Sequence, residues 1–272
     1  MRPAVSTQDR VANVDAGTAF AVTYQRSSVR SRPRALFHFG GMPVSLLVVS
    51  LLLYWWVGDQ PLDSIEQRVL NRDVIQSAVT QHLKLVAVST LIVIAVAVPL
   101  GVLLTRPFAR FIVGPVVGIA NVGQSVPSLG VLVVLALLWG VGFKFAVIAL
   151  VLYAFLPVLR NTMVGLQQVD PFIKEAGQGQ GMSKRSVLFR IELPLAVPVI
   201  LAGVRTALVI NIGTATIAVL TNAGGLGEVI YAGIVQGRPN VLIAGSVMTA
   251  VLALAIDNLA GVAEEVLSPR GL

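Results

Sequence analysis

Hydrophobic residues in this chain come in long blocks rather than at the three-and-four spacing of an amphipathic helix. The clearest block, Leu83 to Thr105, carries Lys84 at its start and no further charge before Arg106. That is roughly the 20 apolar residues a helix needs to cross about 30 Å of hydrocarbon. Five further blocks run from about Pro43 to Val57, Phe111 to Val141, Phe145 to Leu166, Pro194 to Leu220 and Val241 to Val262. The first is short and ends in Tyr54, Trp55 and Trp56, an aromatic cluster suited to a membrane interface. The pattern predicts an all-α polytopic membrane protein with about six transmembrane helices. Residues 1–40 contain no such block and are rich in Ser and Arg; they are expected to form a disordered cytoplasmic tail, with 41–58 as a separate first span.

Composition narrows the class. The 272 residues are 56% hydrophobic and 12% charged, against about a quarter charged in a soluble domain, and mean hydropathy is +0.84. The absence of Cys excludes disulfides, thiolate catalysis and thiolate metal sites. His38 and His82 stand at the edges of apolar blocks, and neither has a second ligand at metal spacing, so both read as interfacial polar residues and no metal is expected. The net charge of +7 does not point to nucleic acid, because the basic residues flank the spans instead of forming one patch. They fit topology better. Arg26, Arg30, Arg32 and Arg34 place the N-terminus in the cytoplasm. Six spans then put Arg106, Arg110, Lys174, Lys184, Arg185 and Arg190 in inside loops, as the positive-inside bias requires.

The longest inside loop, 168–193, is the most informative stretch. Asp170 before Pro171 reads as a helix start, since Asp caps free N–H groups and Pro tolerates the first helical position. A short helix through about Gly177 should break at Gly179 and Gly181, and Ser183 can cap a second one ending near Arg190, before Pro194 opens the next span. The string GQGQGMSK is no phosphate-binding loop, because it lacks the G-x-x-x-x-G-K-[ST] order and lies between spans.

The spacing Glu175-Ala176-Gly177, three residues, Gly181, nine residues, Ile191-Glu192-Leu193-Pro194 resembles the EAA loop of binding-protein-dependent ABC importer permeases. It departs from the family pattern in having Gly177 where the third position is Ala, which weakens local helix propensity by about 1 kcal/mol. Residues 75–264 resemble the five-helix core of the type I permeases similar to methionine importers. Ser125-Val126-Pro127-Ser128-Leu129, the run from Leu156 to Thr162 and Gly224-Gly225-Leu226-Gly227 look most like the permeases for glycine betaine, carnitine, choline and related osmoprotectants. The resemblance implies a non-enzymatic transport subunit in the bacterial inner membrane. ATP and Mg would be held by two partner ATPase subunits, which the loop contacts through Glu175, Ala176, Gly181 and Met182. A second permease chain, identical or similar, an extracytoplasmic solute-binding protein and membrane lipids would be the other partners.

Within the spans, ionisable residues are functional candidates because they are costly in hydrocarbon. Arg160, Arg205 and Asp257 are expected toward the cytoplasmic halves, with Asp257 paired to Arg160 or Arg205, or snorkelling. Pro127, between Ser125 and Ser128, is expected to kink the third span, lining a translocation path or serving packing alone. Asn211, Thr214 and Thr216 either face that path or join helices, and Gly114 with Gly118 suits close helix packing. Trp139 and Tyr153 are the aromatics nearest such a path, with membrane anchoring as the other reading. A permease for amino acids such as methionine is the rival within the family. Outside it stand a secondary transporter, which would need mid-depth carboxylates and an inverted repeat, and a membrane enzyme, which would need clustered catalytic groups.

Overall fold

The computed structural model describes residues 40–267, so the expected tail, apart from its last residue, and His38 lie outside the described part. Helix α1, Met42–Asp59, takes Pro43 in its first turn, where a missing N–H is no loss, and none of its residues is buried. A short helix α2, Ser64–Val69, follows. Asp63 accepts the Ile65 and Glu66 N–H groups at 2.9 and 2.8 Å, while the Glu66 carboxylate accepts the Asp63 N–H at 3.0 Å, a reciprocal cap. The Glu66 N–H in particular, helped by the Ile65 N–H and by Arg238 and Arg68, holds the Asp63 carboxyl below the usual carboxylate range. Arg238 lies 2.7 Å from it.

Helix α3, Arg72–Leu104, starts about three turns ahead of the apolar block at Leu83. Its outer turns are polar, but Asn71 caps the Asp73 N–H at 2.9 Å and nothing in Arg72 to Gln81 breaks a helix. A 3-10 turn at Pro107–Ala109 leads to α4, Arg110–Ser125, and then to α5, Ser128–Trp139. The expected single kinked span is instead two helices bent by 94°. The reason is that two residues leave the helix, not one. Val126, forced out of the α region by the proline after it, has ψ 134°, and Pro127 has ψ 132°.

Helix α6, Phe143–Gln167, is followed by α7, Pro171–Gly179, and α8, Lys184–Val187. A π-type turn, Leu188–Glu192, then runs without a break into α9, Leu193–Ala215. Pro194 was expected to open a separate span. The wider turn before it absorbs a residue that has no N–H to donate, so the helical path continues from the loop into the bundle. A 3-10 turn, Thr216–Thr221, leads to α10, Leu226–Val235, and α11, Pro239–Leu267, closes the described chain.

Helices α3, α6 and α9 form the centre. Leu85 packs in one cluster with Ala146 and Leu150, and Ala97 and Leu104 in another with Val158 and Met163. Equal ends therefore meet, and α3 runs parallel to α6. Contacts of Gly165 with Ala196 and of Gly203 with Asn161 show α9 antiparallel to α6. Small residues allow these approaches, which matters in lipid, where apolar burial between helices gains little. A parallel α3 and α6 require the α4–α5 pair to travel from the Leu104 end back to the Phe143 end. Ala109 accordingly packs beside Met163, and Leu132 and Leu135 beside Ala146. The bent pair is one crossing, and the described chain makes six. Gly114 and Gly118 have no neighbouring atom within 4 Å of where a Cβ would stand, so among the described residues no other helix packs closely on them.

Candidate functional site

The loop 168–193 is shaped by its caps. Asp170 accepts the Phe172 N–H at 2.8 Å with Pro171 at the first helical position, and Ser183 accepts the Ser186 N–H at 3.2 Å. Helix α7 extends to Gly179, two residues past the expected end, and turns at Gly181 with φ +86°. There the Gly181 N–H donates to the Gln178 carbonyl at 2.9 Å and the Met182 N–H to the Gly177 carbonyl at 3.1 Å, the paired bonds of a left-handed helix stop.

Gly177 is buried where the two short helices meet: a Cβ there would lie 2.6 Å from Ile191 Cδ1 and 3.4 Å from Met182 Sδ. The departure from Ala thus coincides with tight seating of Ile191, while Val187 fills the remaining space. With those groups turned inward, Phe172, Ile173, Glu175, Ala176 and Phe189 are left outward. Phe172 is 78% and Phe189 67% exposed, which is a large apolar display for a polar loop. Leu193 is half-buried and Pro194 exposed at the start of α9.

Beneath the loop, Arg106 at the end of α3 grips Glu192 with Nη2 to Oε2 at 2.6 Å and Nη1 to Oε1 at 3.3 Å. Glu192 is buried, so this two-pronged pair fixes the loop's exit to the neighbouring helix. Deeper, Arg205 donates from Nε and Nη2 to the two Asp257 oxygens at 2.6 and 2.7 Å, and Glu264 stands 3.7 Å from it. Of the two partners expected for Asp257, the structure brings Arg205. Arg160 instead donates to Asn121 Oδ1 at 2.7 Å. Arg205 lies about 18 Å along α9 from Leu193.

Asn211 is fully buried and donates to Ser89 Oγ and Thr90 Oγ1, both at 3.0 Å, which makes it a clamp between α9 and α3. His82, expected at an interface, is fully buried as well, and its Nε2 faces the Ile212 carbonyl oxygen at 3.1 Å, so that nitrogen carries the proton. The carbonyl is available because α9 tightens into a 3-10 turn, where the Thr216 N–H bonds Gly213 and Thr214 instead. Thr214 is half-buried, and Thr216 donates its hydroxyl to the Gly213 carbonyl at 2.7 Å. Ser125 and Pro127 are exposed at the bend and Ser128 is half-buried. The Tyr153 carbonyl accepts from Gln124 at 2.8 Å, and Trp139 is exposed.

Residues 97–270, which include the whole loop and the charged pairs, match the family described as "Binding-protein-dependent transport system inner membrane component". The chain belongs to this family. It is an ABC importer permease, a transport subunit that works with a separate ATPase and a solute-binding protein and performs no catalysis itself. The permease is 41% identical over 192 residues to the choline transport system permease protein OpuBB of Bacillus subtilis (strain 168), covering 71% of this chain and 88% of the relative. To the glycine betaine/carnitine/choline transport system permease protein OpuCB of the same organism it is 40% identical, again over 71% and 88% of the two chains. The fold is that of a chain of the inward-facing MetNI methionine ABC transporter, with TM-score 0.64 at 21% identity, covering 76% of this permease and all of that chain.

Three features of the permease were not singled out from its sequence. The Arg106–Glu192 pair has a readable signal, an Arg closing one span and a Glu opening another. The His82 and Ser89/Thr90 contacts have none, since they depend on how α3 is rotated against α9.

Proposed function

We propose that this permease moves a quaternary-amine osmoprotectant of the glycine betaine, carnitine and choline class, driven by ATP hydrolysis on two partner subunits that grip the 168–193 loop. The observation that carries the coupling assignment is the outward apolar surface of that loop, set on two capped helices and rigidly continued into the bundle. Phe172, Ile173, Ala176 and Phe189 supply apolar area, Glu175 supplies charge, and Gly181 with Met182 shape the elbow. Ile191 against Gly177, and Glu192 on Arg106, transmit displacement of the loop to α9 and α3. Two permease chains, identical or similar, surround the solute path, and closure of the ATPases draws their loops together. The loop must contact the ATPase differently in the outward-facing and inward-facing states, because equal contact in both would shift no population. The solute class is supported by the relatives whose names carry choline, carnitine and glycine betaine.

The test is co-expression with candidate ATPase subunits, comparing wild type with Glu175→Arg. Wild type should capture an ATPase and stimulate it, and the variant should lose capture or coupling. Unchanged capture by the variant would refute the loop assignment. Uptake of labelled betaine, carnitine and choline, with methionine as the rival, then decides the solute.

A further inference from the structure

A cavity of about 1290 Å³ lies away from the 168–193 loop, between α1, the outer turns of α3 and the middle of α11. It exceeds the ~300–1,000 Å³ of ordinary small-molecule pockets. Its walls run along α1 from Asp59 to Ser50 and along α11 from Ala244 to Ala255. At 1.5 Å per residue these are depths of about 14 and 16 Å, the thickness of one leaflet of a ~30 Å hydrocarbon layer. The deep part is lined by Leu53, Val79, Met248, Val251 and Leu252. The mouth, at the outer ends of α1 and α3, carries Arg72, Asp59, Gln60 and Gln76, with Tyr54 and Trp55 just below. Among the described residues neither Arg72 nor Asp59 takes part in an ion pair.

We infer that this slot holds one phospholipid of the outer leaflet with a phosphoethanolamine-type head. Arg72 binds the phosphate, Asp59 accepts from the ammonium, and an acyl chain fills the one-leaflet-deep space. A water-soluble solute has no use for such an apolar depth, and a cation and an anion lining one cavity, neither ion-paired among the described residues, complement a zwitterionic head better than an anionic one. The lipid completes the packing of α1, which has no buried residue of its own and rests chiefly on α11. It works as a wedge between that helix and α3.

The test uses the assembled importer, purified gently and examined by native mass spectrometry after exchange into mixed phosphatidylethanolamine, phosphatidylcholine and phosphatidylglycerol. One phosphatidylethanolamine per permease chain should be retained. Arg72→Ala should reduce retention about tenfold, the effect expected for losing a charge-assisted hydrogen bond, and Ala255→Phe should reduce it by filling the deep end. Retention indifferent to head group, preference for phosphatidylglycerol, or retention unaltered by both variants would overturn the proposal. A second measurement needs no packing variant. Acyl-brominated phosphatidylethanolamine at a low fraction in phosphatidylcholine nanodiscs should quench wild-type tryptophan emission more than brominated phosphatidylcholine at the same fraction, and Trp55→Phe should remove the excess. Equal quenching by the two lipids would count against the site.

Discussion

Gly177 and Gly181, in the 168–193 loop, illustrate how differently one residue type can be constrained. At Gly181 the constraint is the backbone: φ is +86°, and the two hydrogen bonds that stop α7 depend on it. A Cβ at such a φ costs roughly 1–2 kcal/mol in an L-residue, less for Asn, which visits the left-handed region more readily. At Gly177 the constraint is a neighbour, and the nearest atom is the far end of the Ile191 side chain, which can swing away. Gly181→Ala should therefore weaken ATPase capture about tenfold, Gly181→Asn less, and Gly177→Ala least of the three. Titrating captured ATPase against each variant checks the order. Should Gly177→Ala prove the most damaging, the seat of Ile191 and not the elbow would control the loop.

Among the helices, charged pairs tie neighbouring elements together. Arg205 joins α9 to α11 through Asp257 and Glu264, and all three side chains are less than a third exposed. Removing Asp257 should destabilise the bundle by about 2 kcal/mol, as expected for a lost bond between charged groups. Exchanging the pair, Arg205→Asp with Asp257→Arg, should rescue only partly, because the new Asp at 205 would face Glu264. Adding Glu264→Gln should complete the rescue. Thermal unfolding in detergent measures all four proteins, and a full rescue without the third change would mean that Glu264 does not act on this pair. How much of this arrangement could be read beforehand depends on where the information lies. Caps at Asp170 and Ser183 are local, so they are visible in the sequence and stand where expected. Hydropathy missed the first three turns of α3, because a helix can project beyond the lipid with polar residues if it is capped. The choice of Arg205 over Arg160 for Asp257 is set by helix rotation, which no single sequence displays.

At the scale of the whole chain, the number of crossings rests on the α4–α5 pair. A helix pair bent by 94° can cross a membrane or dip into it and return. The parallel contacts of α3 and α6 permit only the crossing, because a returning pair would start α6 at the face where α3 ended, and Leu85 could then not pack beside Ala146. Six crossings put Met42 and Leu267 on one face, together with the 168–193 loop, and put α2 and the α5–α6 turn on the other. The chain contains no Cys, so single cysteines can report this directly without altering a background. Ser64→Cys, Lys144→Cys and Gln178→Cys all change exposed positions. In right-side-out vesicles a membrane-impermeant maleimide should label the first two at once and the third only after permeabilisation. If position 144 instead behaves like 178, the bent pair returns to the face it left. Every segment from α6 onward would then be inverted, and the apolar loop surface would face away from any cytoplasmic ATPase.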